Sequence, residues 1–195
     1  MKFLCRVLFL AACVAAGAQS NPDNAATGKT ISVASIVQKQ FGPAFKVTTA
    51  LPRAFMTADF DSDGVEDMVI VADSTDPLPD SYAYKYDVSD PYNSFFGFGD
   101  PRRTSGFGRN DPGHNHDLLI IFGAGADAWR AATPKAKFVL INVPFDSVSV
   151  GRMLLKKGKP PIFMIKAVES QLMDSAVFWD AKKKRWRWQP GDTLE

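Results

Sequence analysis

In the stretch ADFDSDGVEDMVIVAD, residues 58–73, acidic side chains recur at short intervals and then give way to an apolar run. Residues 59–67 read as D-x-D-x-D-G-x-x-D. This places Asp59, Asp61 and Asp63 at loop positions one, three and five, and Asp67 at position nine. Gly64 at position six permits a tight turn, and Val65 at position seven can offer its backbone carbonyl. Calcium takes six to eight hard oxygen ligands at roughly 2.3–2.6 Å, and this spacing supplies them from one short loop. Without a cation, carboxylates so close together repel and raise one another's pKa values. The spacing therefore predicts a calcium site held by Asp59, Asp61, Asp63, the Val65 carbonyl and Asp67. A plain acidic surface turn would leave the match at so many ligand positions unexplained. An EF-hand would add a bidentate Glu at position twelve and exit into a helix. Here that position is Ile70, inside an apolar run that reads as a strand.

The aspartate-rich loop running straight into Met68-Val69-Ile70-Val71 resembles the FG-GAP or VCBS repeat. That resemblance covers about sixteen residues. It implies a structural calcium loop in a secreted or cell-surface β protein, with ligands at Asp59, Asp61, Asp63, Val65 and Asp67. Repeats of this type build β-propellers, which need at least about four blades. A single motif in 195 residues does not supply them. The expectation is one calcium loop embedded in a compact sheet, not a complete propeller. The pairing of such a loop with a small β-rich domain is also similar to periplasmic lysozyme-inhibitor-type proteins.

Other reactive residues are sparse. His114, His116 and Asp117 stand together before an apolar run, and no other histidine occurs. They could serve a secreted hydrolase as acid–base groups, but a zinc centre lacks its remaining ligands. No G-x-S-x-G elbow occurs, and the short Gly pairs carry no phosphate-binding fingerprint. In KKKRWRWQ, residues 182–189, Trp186 and Trp188 would share one face of a strand and Arg185 and Arg187 the other. A final strand closing the core explains this pattern better than nucleic-acid binding, so no nucleic-acid partner is expected.

The first eighteen residues carry Lys2 and Arg6, an apolar run, and then Ala16-Gly17-Ala18, the layout of a secretory signal peptide. Cleavage there would release a secreted or periplasmic protein. Leu10-Ala11-Ala12-Cys13 also resembles a bacterial lipobox, which would anchor the chain to a membrane through Cys13. Both cysteines, Cys5 and Cys13, lie in this leader, so the rest of the chain has no disulfide to staple it. Without Lys2 and Arg6 the chain holds 21 basic and 21 acidic residues. Neutrality hides a division. Residues 59–117 hold thirteen acids against four bases, and residues 152–187 hold ten bases against three acids.

Residues 19–29 read as a polar linker, and residues 30–195 as a single β-rich domain. Helical spacing of Val33, Ile36, Val37 and Phe41 predicts a short helix capped at Thr30 or Ser32 and ended by Gly42-Pro43. Strands are expected at 45–49, 53–57, 68–72, 118–122, 137–143 and 161–168, with a hairpin over 176–189. An insertion at about 74–116 has no legible element, and loops of that length tend to be functional or disordered. The fold class is α+β, mainly β, with an antiparallel or mixed sheet and a short N-terminal helix. The functional expectation is a non-catalytic, calcium-stabilised module with a protein or carbohydrate ligand.

Overall fold

A computed structural model describes residues 32–74, 80–97, 116–170 and 173–191. The expected signal peptide, linker, Cys13 and His114 lie outside the described residues. The chain is mainly β, with ten strands in two sheets and three short α-helices among the described residues.

Helix α1, Val33–Phe41, begins where the Ser32 hydroxyl accepts the Ser35 N–H at 3.1 Å and ends at Gly42. The expected cap is thus Ser32. Strands β1 (Phe45–Val47) and β2 (Phe55–Ala58) come next, both pairing antiparallel with the longer β3 (Asp67–Ser74). They share one edge of β3: β2 takes residues 67–70 and β1 takes 72–74. The opposite edge of β3 pairs antiparallel with β5 (His116–Phe122). Strand β6 (Ala136–Leu140) pairs antiparallel with β5.

Between β3 and β5, where no element was legible in the sequence, the structure places short ones. The described part of that segment holds helix α2 (Ser81–Tyr84), strand β4 (Asp87–Ser89) and helix α3 (Pro91–Phe95). Strand β4 closes the first sheet by pairing parallel with β6. Asp90 fixes the start of α3. Its carboxylate accepts the Asn93 N–H at 2.8 Å and the side-chain amides of Asn93 and Asn142 at 2.6 and 2.5 Å. Short elements held by buried polar contacts of this kind leave no hydrophobic period in the sequence.

The second sheet is an antiparallel meander, β7 (Ser147–Met153), β8 (Ile162–Glu169), β9 (Met173–Asp180) and β10 (Arg185–Pro190). Strand β7 was not foreseen: SVSVGRM is largely exposed and offers little apolar signal. One core lies between the sheets, where Val69, Val71, Leu118, Ile120 and Phe138 meet Ile165, Val177, Trp186 and Trp188. A second covers the other face of the first sheet. There Ile36, Val37 and Phe41 of α1 pack on Met68, Ile70, Leu119, Ile121 and Val139. The first sheet is therefore a middle layer, which is why Met68–Ala72 and Leu118–Ile121 are apolar without alternation.

Candidate metal centre

The acidic loop joins β2 to β3 at the margin of the first sheet. Its turn is built from carboxylates that cap backbone donors. Asp59 accepts the N–H groups of Asp63 at 3.0 Å and Gly64 at 2.9 Å. Asp61 accepts Asp63 N–H at 3.2 Å, and Asp63 accepts Val65 N–H at 2.9 Å. Gly64 has φ 87°, the left-handed region that favours glycine, so position six needs the residue it has.

Asp59, Asp61 and Asp67 each offer a carboxylate oxygen, and these three atoms lie within 4.8 Å of one another. Asp63 lies outside that triplet. One of its oxygens meets the Lys135 ammonium at 2.6 Å, and Lys135 also meets Asp61 at 2.6 Å. The lysine contact holds the Asp63 carboxyl below the usual range, and the two carboxylates raise the lysine in turn. Val65 is partly exposed in the turn. Three clustered carboxylates suit a hard divalent cation in kind, and Lys135 pairs with one of them, Asp61.

Asp67 plays a different part. It is buried, and its carboxylate accepts Phe60 N–H at 2.8 Å, Asp61 N–H at 3.4 Å and Gly123 N–H at 2.8 Å. Burial pushes its pKa up to about 7, against the lowering effect of those donors. Through Gly123 it ties the loop to the end of β5. A Cβ at Gly123 would fall within 2.8 Å of Val65 Cγ1 and collide with the Glu66 carbonyl. Glu66 faces outward and accepts Thr57 Oγ1–H at 3.0 Å and Trp129 Nε1–H at 2.8 Å. Trp129 belongs to a 3-10 turn, Gly125–Arg130.

Lys135 was not singled out from sequence, and Gly123 was read only as one of a short Gly pair. Both lie more than fifty residues from their partners, and only the pairing of β3, β5 and β6 brings them to the loop.

The second constellation, His116 and Asp117, opens β5. His116 Nδ1 stands 2.5 Å from Asp73 Oδ1, and its ring lies against Phe145. Asp117 accepts the Ser74 hydroxyl. Trp186 and Trp188 are buried and Arg185 and Arg187 exposed, as the alternation on a final strand predicts.

Compared with models of known families, with characterised proteins and with solved structures, the chain finds no match.

Proposed function

We propose that this chain is an extracytoplasmic, non-catalytic binding module, of FG-GAP or VCBS type, stabilised by calcium in its acidic loop. The observation that carries the reading is the clustering of Asp59, Asp61 and Asp67 at the entry to β3. Asp63 and the Val65 carbonyl complete the donor set when the turn closes on the ion. The ion would fix the turn and, through Asp67, the register of β3 against β2 and the end of β5. A leader that exports the chain places it where calcium is plentiful and where cysteine-free domains need another staple. The ligand class is a protein or a carbohydrate.

Thermal melting in EDTA and in excess calcium, with magnesium as the control, tests this. Calcium should raise the midpoint by several degrees at saturating concentration, and Asp59→Asn with Asp61→Asn should abolish the rise. A melt indifferent to calcium and EDTA would sink the reading.

A further inference from the structure

In the second sheet, Met153 pairs with Ile162 and Asp180 pairs with Arg185. The β8–β9 register, continued from Ile165↔Val177, sets Ile162 on the same rung as Asp180. The β7–β8 turn, residues 154–161, and the β9–β10 turn, residues 181–184, therefore leave the sheet side by side at one end. Two strand spacings separate their centres, about 10 Å.

The composition of that end is unusual. The first turn is LLKKGKPP, with Lys156, Lys157 and Lys159; the second is AKKK, with Lys182, Lys183 and Lys184. All six lysines are exposed and neither turn contains an acid. Asp180, at the rung itself, is engaged by Arg187 at 3.7 Å. Ahead of the first three lysines stand Leu154 and Leu155, 58% and 52% exposed.

From this juxtaposition we propose that the end of the second sheet is a docking surface for an anionic lipid bilayer. The lysines meet the headgroup charge, and Leu154 and Leu155 enter the interface between headgroups and acyl chains. Charge alone would suit any polyanion. Two adjacent exposed leucines at the start of the lysine-bearing β7–β8 turn have no role against a soluble acidic polymer, but they gain burial in a membrane interface. Each lysine close to an anionic surface multiplies partitioning by about fivefold, with an effect that fades within a Debye length. The inference is independent of calcium at the acidic loop, and its test is run in chelator.

Full-length chain is sedimented with vesicles of phosphatidylcholine alone or mixed with phosphatidylglycerol, in EDTA, at low and high salt. The leader is common to every variant, so the comparison between variants is the readout. Wild type should prefer the anionic vesicles. Lys182→Gln, Lys183→Gln and Lys184→Gln together should lower that partitioning by more than about tenfold. Leu154→Ser with Leu155→Ser should lower it about tenfold or more and make the remainder salt-sensitive. Circular dichroism and melting check that these exposed substitutions leave the fold intact. Equal partitioning to both vesicles, or a lysine variant equal to wild type, overturns the proposal. So does a leucine variant equal to wild type, an outcome that, with lysine-dependent binding to heparin, assigns the surface to an acidic polymer instead.

Discussion

Asp67 differs from its loop neighbours because it is buried, and that sets its response to pH. Its carboxyl is held at about 7 in the fold, against about 3.9 in an unfolded chain. Between those values the folded state binds the proton and the unfolded state does not. The stability this group contributes is therefore present below about pH 4 and is lost as pH rises through 7. Asp67→Asn removes the titration and turns an amide N–H toward backbone donors, costing about 1–3 kcal/mol. In EDTA the stability gap between wild type and this variant should narrow from pH 5 to pH 8; a gap that widens would show that the ionised form is the stabilising one. Lys135 makes the complementary case. Its ammonium neutralises Asp61 and Asp63, so Lys135→Met should lower the melting point in EDTA and tighten calcium binding measured by titration calorimetry. Unchanged affinity would mean that the lysine does not compete. The spacing had singled out Asp59, Asp61 and Asp67, which lie together. Lys135 was not legible, because nothing local marks a lysine as the partner of residues over seventy positions away.

At the scale of elements, legibility followed burial. Strands β3 and β5 are covered on both faces, one by the second sheet and one by α1, and that gives continuous apolar runs. Helix α1 showed itself by its period and by Gly42-Pro43. Strands β4 and β7 were missed, since three residues cannot carry a period and an exposed edge strand carries little apolar signal. The two ends of α1 should differ in energetic weight. Ser32→Ala removes a cap and costs about 1 kcal/mol. Phe41 is fully buried and contacts the rings of Phe45 and Tyr86, so Phe41→Ala should cost about 3–5 kcal/mol. Urea denaturation of the two variants checks the order, and a milder effect at Phe41 would mean that the helix layer is not part of the cooperative core.

For the molecule as a whole, the sequence carried the mainly β class and the lack of a propeller, but not the division into two sheets. That division depends on which strands pair, and strands that alternate apolar and polar residues are compatible with many partners. What joins the sheets is a shared aromatic cluster. Trp186 of β10 and Trp179 of β9 lie 5.8 and 5.1 Å from Phe122 of β5, and Trp186 also meets Phe60 beside the acidic loop. Removing either sheet would expose the other's inner face, so residues 31–195, which form one compact unit, should unfold together. Tryptophan fluorescence weights the second sheet, where Trp179, Trp186 and Trp188 lie, whereas far-ultraviolet dichroism weights both. The two signals should trace one transition with a common midpoint in urea. Separate midpoints would place a boundary between the sheets and show that the aromatic cluster does not couple them.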